Sequence, residues 1–124
     1  MNTTAWIAQA LLAVAMAGAG AMKLMKPKAE LATSGMAWVE DFRDNQVKGI
    51  GSLEILAALG LILPALLDIA PELVGVAAVG VVLLMLGAAV THVRRGEGQM
   101  VPVNLAIAAI GVFIAVMRFG PEAF

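Results

Sequence analysis

The sequence predicts an all-α, polytopic membrane protein: a bundle of four transmembrane helices with a short amphipathic interfacial segment between the first two. Three observations lead there. Apolar residues make up 61% of the chain and charged residues 14%, against roughly 45–50% and about 25% in soluble domains. Four stretches reach the length of about 20 mostly apolar residues that a membrane-crossing helix needs. Prolines and charged residues gather between those stretches. At 124 residues the chain is one domain by length. A water-soluble domain of that size buries only about two-thirds of the surface its unfolded chain exposes, too little for this composition, whereas lipid accepts the remainder.

The first span runs from about Ala5 to Met25, with Pro27 just beyond it. Ala17-Gly18-Ala19 resembles a leader cleavage site. However, Met1 to Ala5 carries no Lys or Arg and the apolar run continues past Ala19, so the span is expected to be retained. Lys28 to Gln46 is too polar to span. Leu31, Trp38 and Phe42 recur there at near-helical spacing among Glu40, Asp41 and Arg43. Two readings fit: a short helix lying in the interface with Trp38 facing the headgroups, or an ordered loop packed over the bundle mouth. The second span runs from about Val47 to Leu67, with Pro64 near its end. The third runs from about Leu73 to Val93 after Pro71, an early helical position where a missing N–H is harmless. Arg94-Arg95-Gly96-Glu97-Gly98 separates it from the fourth, about Val101 to Phe119, which Pro102 opens.

Basic residues in the loops set the expected orientation. Lys23, Lys26, Lys28, Arg43 and Lys48 surround the first connection, Arg94 and Arg95 the third, and only Arg118 lies on the other side. Both basic loops are therefore expected in the cytoplasm and both termini outside. The formal charge of −1 offers no basic field for nucleic acid. The absence of cysteine excludes disulfides, thiol chemistry and thiolate-held iron–sulfur clusters. With one histidine, bis-histidine haem ligation within a protomer is excluded and a zinc site is poor; no metal is expected. No phosphate-binding glycine loop or nucleophile–base motif is present.

Small residues let helices approach closely in lipid. They recur as Ala13, Ala17 and Ala21 in the first span, Gly51 and Ala58 in the second, and Ala108, Gly111 and Ala115 in the fourth. Met85, Ala88 and His92 share a face of the third. Polar residues sit on these faces, which should point into the bundle because an ionisable group facing lipid is costly. Glu54 is the most informative, about 10 Å inside the second span at 1.5 Å per residue. Alternating helix direction brings Lys23, Glu54, His92 and Asn104, from four different spans, into one half of the membrane. They form the candidate ligand site, with Lys23–Glu54 as the expected ion pair. Each has a plainer role: Lys23 snorkelling to headgroups, His92 as an interfacial residue without a partner, Asn104 as helix–helix glue, and Glu54 in a structural salt bridge. Gln9 and Arg118 lie toward the opposite end and, with Trp38, complete the candidates. The eight methionines read as apolar filler.

The residues around this cluster carry a resemblance. Gly20-Ala-Met-Lys23-Leu24 closes the first span and Gly35-Met-Ala-Trp38-Val-Glu40-Asp41-Phe42 lies in the interfacial segment. Ile50-Gly51-Ser-Leu53-Glu54 opens a run that continues to Pro64. Met85-Leu-Gly87 leads into Thr91-His92-Val-Arg94-Arg95-Gly96-Glu97, and Pro102-Val-Asn104-Leu105 and Arg118-Phe119 follow. Together these resemble the DoxX-like family of small four-helix membrane proteins, over nearly the whole chain. The resemblance implies a bacterial inner-membrane location. It implies no settled activity: some relatives are linked to thiosulfate:quinone oxidoreduction or membrane redox complexes, and an animal branch resembles receptor-assembly chaperones.

Three functions follow as expectations. The first is a non-enzymatic protein that binds a partner protein or a lipid-like or quinone molecule through the polar cluster. The second is a subunit of a membrane quinone-linked oxidoreductase, with quinone as its cofactor. The third is a small proton-coupled exporter, weakened by an aromatic content of 5%, too little for an aromatic substrate cage. The bilayer is the one partner composition demands. Other membrane proteins, a redox partner and a second copy of the chain are compatible with it.

Overall fold

The computed structural model describes residues 2–124 and is helical throughout its spans. Helix α1 is Asn2–Met25, α2 Lys28–Thr33, α3 Asp44–Leu67, α4 Leu73–Arg94 and α5 Val101–Phe119, with short 3-10 turns at Ala37–Asp41 and Gly98–Met100. Four of these, α1, α3, α4 and α5, are long and apolar enough to cross a membrane, as the hydropathy predicted. α1 and α3 begin about one turn before their apolar runs. At α3 the polar start is capped: the Arg43 N–H donates to the Gln46 side chain at 2.8 Å, satisfying a donor that a helix start leaves free. Pro64 sits inside the last turn of α3 and removes one N–H from the helical ladder, and the helix ends three residues later at Leu67.

Glycines decide which helices touch. A Cβ on Gly20 of α1 would lie 2.7 Å from the Gly51 carbonyl oxygen, and one on Gly51 of α3 would lie 2.9 Å from the Cβ of Lys23. α1 and α3 are thus zipped backbone to backbone at these two positions. In the same way Gly111 of α5 meets Val82 and the Ala78 carbonyl of α4, and Gly75 of α4 lies under the Phe119 ring. The two pairs, α1/α3 and α4/α5, then join through a core that includes Leu12, Met16, Leu61, Val81 and Ile114. Gly60 against Ala77 marks a close contact of α3 with α4. The outward faces carry Leu11, Val14, Leu56, Leu83 and Val93, all exposed, as a lipid-facing surface should be.

The connection between α1 and α3 is not one amphipathic helix. α2 ends at Thr33, and Gly35 turns the chain at φ +95°, a backbone conformation that favours glycine. The following 3-10 turn lies back over the bundle. Leu31, Val39 and Val47 are buried together beneath it. This is the second of the two readings of the segment, an ordered loop over the bundle mouth. Trp38 accordingly does not face outward to headgroups. It is half-buried, edge-on to Phe42 at 5.5 Å, and 5.6 Å from the Lys23 ammonium.

Candidate functional site

Between the two helix pairs a cleft of about 1090 Å³ remains. Its walls come from α1, α3, α4 and α5, and the segment from Ser34 to Phe42 forms a lid across one end. Gly60 and Ala77 line the far part of the cleft, where α3 and α4 touch. From Ala77 to His92 the α4 wall is about 22 Å long at 1.5 Å per residue. Gly80 and Gly87 line it too, and a Cβ at either would meet no atom within 4 Å. Gly80 and Gly87 therefore face open space, unlike the glycines that zip the helix pairs. Leu53, Leu56, Val76 and Leu83 line the cleft yet are more than 50% exposed. It opens sideways between α3 and α4, toward lipid.

All four residues expected to converge do so: Lys23, Glu54, His92 and Asn104 are buried and line the lid end of this cleft. The Lys23 Nζ lies 2.7 Å from Glu54 Oε1, the expected ion pair, with both side chains almost wholly buried. Close approach at Gly20 and Gly51 makes the pair feasible, since it brings the two backbones within reach of each other one turn away. Lys23 is the one partner of Oε1, so this carboxylate oxygen keeps unused acceptor capacity toward the cleft. Asn104 Nδ2 is buried without an acceptor. It lies near the start of α5, where Pro102 already supplies the rigid first turn. Helix–helix glue would have found its partner across the interface; this donor has not. Buried polar atoms without partners are few in folded proteins, and this one lines the cleft.

His92 is not an unpartnered interfacial residue. Its Nδ1 is 2.8 Å from Glu97 Oε1. A carboxylate only accepts, so Nδ1 carries a proton, and in the neutral ring Nε2 is left as an acceptor. Glu97 also receives Arg95 Nε at 3.2 Å. Arg95 in turn reaches Asp41 at 2.9 Å and Glu40 at 3.5 Å on the lid. The chain from His92 through Glu97 and Arg95 to Asp41 thus latches the lid to the end of α4. The His92 hydrogen bond first, and Arg95 next, hold the Glu97 carboxyl below the usual carboxylate range. Asp41 first, and Glu97 next, hold the Arg95 guanidinium above its ordinary value. In the sequence Arg95 reads as a topology signal and Glu97 as part of the loop and of the family motif, neither as a partner of His92. The link spans five residues across a helix end, where helical periodicity no longer says who meets whom. Lys48 was also unseen as a partner. Its ammonium donates to the carbonyls of Lys23, Leu24 and Lys26 at 2.7–3.2 Å, closing the C-terminal end of α1.

Gln9 and Arg118 do not join this site. At the opposite end Arg118 Nε donates to Gln9 Oε1 at 2.6 Å, and Nη1 to Asn2 Oδ1 and the Glu122 carbonyl. Gln9 Nε2 donates to the Leu61 carbonyl at 2.7 Å. The guanidinium lies 5.5 Å from the Trp6 ring and 4.0 Å from that of Phe124. This node ties α1, α3, α5 and the C-terminal residues together.

Among the comparisons with known proteins, no curated protein and no solved structure matches significantly. A family model does match, over residues 7–114, a range that holds Lys23, Glu54, His92 and Asn104 but stops short of Arg118. The chain is a four-span membrane protein and belongs to the DoxX-like family.

Proposed function

We propose that this protein binds a lipid-like small molecule in the lateral cleft, tail among the helices and headgroup against Lys23, Glu54, His92 and Asn104. One observation carries the reading. Asn104 Nδ2 is buried without a hydrogen-bond partner, and Glu54 Oε1, held by Lys23 alone, keeps acceptor capacity; both line the same apolar cleft. A headgroup that accepts from Asn104 and donates to Glu54 would use both, and leaving a buried donor unsatisfied costs about 1–3 kcal/mol. The volume of about 1090 Å³ lies just above the range that small-molecule pockets occupy, about 300–1,000 Å³. A quinol, the reduced form of a quinone, belongs to this ligand class, because its hydroxyl can donate to Glu54 as well as accept from Asn104. Service as an oxidoreductase subunit or an exporter would add a partner or a translocation step to the same binding event. The bias of basic residues toward the lid end supports a cytoplasmic lid, and the bacterial inner-membrane location is what the family resemblance implies.

The test is native mass spectrometry of the protein released from its membrane in mild detergent, wild type beside Gly80→Leu. Leucine at Gly80 would enter the open space of the cleft without touching the helix contacts. A bound amphiphile retained by the wild type and lost from Gly80→Leu is expected. Identical adduct patterns in the two proteins would refute the reading.

A further inference from the structure

The charge balance of the cleft selects among amphiphiles. Several basic residues gather at the lid end, yet Lys26, Lys28, Arg43, Lys48, Arg94 and Arg95 do not line the cleft. The charged side chains that do are Lys23 and Glu54, one of each sign and paired at 2.7 Å. His92 lines it as well, with Nδ1 committed to Glu97. The wall therefore offers a headgroup no uncompensated charge. It offers one unpaired donor, Asn104 Nδ2, and acceptor capacity at Glu54 Oε1 and, in the neutral ring, at His92 Nε2. Above the mouth a single guanidinium, Arg95, is shared by Glu40, Asp41 and Glu97, so the latch holds no spare cation for an anionic headgroup.

We infer that the cleft is selective for uncharged amphiphiles, a long apolar chain ending in a hydroxyl or a hydroxyl-and-carbonyl group, and rejects anionic and cationic headgroups on the same chain. This rests on the cleft being the ligand site. An anion would have to draw Lys23 from Glu54, and a cation would have to draw Glu54 from Lys23. Either leaves a buried charge unpaired in a low-dielectric site. A hydroxyl accepts from Asn104 and donates to Glu54 while the ion pair stays intact. The selectivity is thus held by the balance of the pair, and removing one member should invert it. Glu54→Gln leaves Lys23 alone and favours an anionic headgroup; Lys23→Met leaves Glu54 alone and favours a cationic one.

Trp38 supplies the readout because it lines the cleft and the chain has only one other tryptophan, Trp6, at the far end. In a Trp6→Phe background, reconstituted in phosphatidylcholine nanodiscs, Trp38 quenching is titrated with three dibrominated probes of one chain length. They are the alcohol, its sulfate ester and the quaternary ammonium. Quenching that survives in Gly80→Leu is contact from bulk lipid and is subtracted. The expected result is apparent affinity for the alcohol at least about tenfold above either charged probe. The sulfate should lead in Glu54→Gln and the quaternary ammonium in Lys23→Met. Specific quenching in which the sulfate or the ammonium equals the alcohol in the wild type overturns the charge-selectivity inference while leaving the cleft as a ligand site. No Gly80-sensitive quenching by any probe overturns the binding reading itself, and this inference with it. Should either single variant fail to fold, the wild-type ranking still decides. The double variant, Lys23→Met with Glu54→Gln, is then expected to keep the alcohol preference.

Discussion

Two buried cations sit at opposite ends of the bundle, and they are handled differently. Arg118 is surrounded: Gln9, Asn2 and the Glu122 carbonyl accept its protons, and two aromatic rings lie against its faces. Lys23 has one counter-charge, Glu54, at 2.7 Å, and beside that pair the space is open. The difference is one of purpose. A stability element fills its surroundings, since water-sized gaps forfeit contact energy. A binding element leaves room beside its polar atoms, whereas at Arg118 even Nη2, which has no hydrogen-bond partner, is enclosed. The same contrast runs through the glycines. Gly20, Gly51 and Gly111 are pressed against backbone, whereas Gly80 and Gly87 border nothing.

The largest expected effect breaks the closed end. Arg118→Leu should lower stability by about 3 kcal/mol, because it strands the Gln9 and Asn2 acceptors and the ring faces. Unfolding of the detergent-solubilised protein, followed by circular dichroism, measures this. Of similar but slightly smaller size is Glu54→Leu, about 2–3 kcal/mol, which leaves the Lys23 ammonium without a counter-charge. Here the double variant, Lys23→Met with Glu54→Leu, should recover most of the loss, a coupling that a double-mutant cycle reads directly. The Arg118 node has no such single partner, so no one second substitution should rescue it.

Glycine substitutions sharpen the comparison at a smaller scale. Gly51→Ala should cost about 1–3 kcal/mol, since its Cβ would lie 2.9 Å from the Lys23 Cβ and 3.0 Å from the Gly20 carbonyl. Gly80→Ala should be neutral or stabilise by up to about 1 kcal/mol, the helix-propensity gain with no clash. Equal costs at the two positions would erase the distinction between zipped and open faces.

The smallest effect concerns the lid latch, whose ion pairs on the Glu40 and Asp41 side are solvent-exposed and individually weak. Its sign follows from Glu97. The folded-state carboxyl is held below its ordinary value by His92 and then Arg95, so its contribution is fully present above the ordinary carboxylate range, about pH 4.3. It is lost as pH falls through the lowered value. The Trp38 emission maximum should therefore move to longer wavelength below about pH 4 and stay flat from there to neutrality. Arg95→Gln should produce part of that shift already at neutral pH.

Much of this was legible in the sequence. Four spans, their order and the convergence of Lys23, Glu54, His92 and Asn104 follow from hydropathy and alternating helix direction. The ion pair follows because two ionisable groups at one depth have each other as the least costly neighbour. What could not be read was who meets whom outside helical periodicity. Glu97 turns back to His92 past the end of α4, Lys48 reaches across to the carbonyls of α1, and Trp38 is swung inward by the turn at Gly35. Nor does composition tell a glycine that zips two helices from one that faces a cleft; that distinction needs coordinates. Arg118 and Gln9 were visible as polar residues at the outer end. Their enclosure by Trp6 and Phe124 depends on the C-terminal residues folding back over α5.

A long-chain alcohol carrying a mid-chain photoreactive diazirine, incorporated in vesicles with the protein, tests the central claim most directly. Labelled residues are mapped by mass spectrometry with and without excess unlabelled alcohol. Lipid-facing residues will be labelled without competition. The account predicts that competable labelling concentrates on Leu84, Ala88 and Trp38, inside the cleft and under its lid. Competable labelling confined to the shallower groove of about 400 Å³ between α1 and α5, at Ile7, Leu11 or Phe113, or none anywhere, would contradict it.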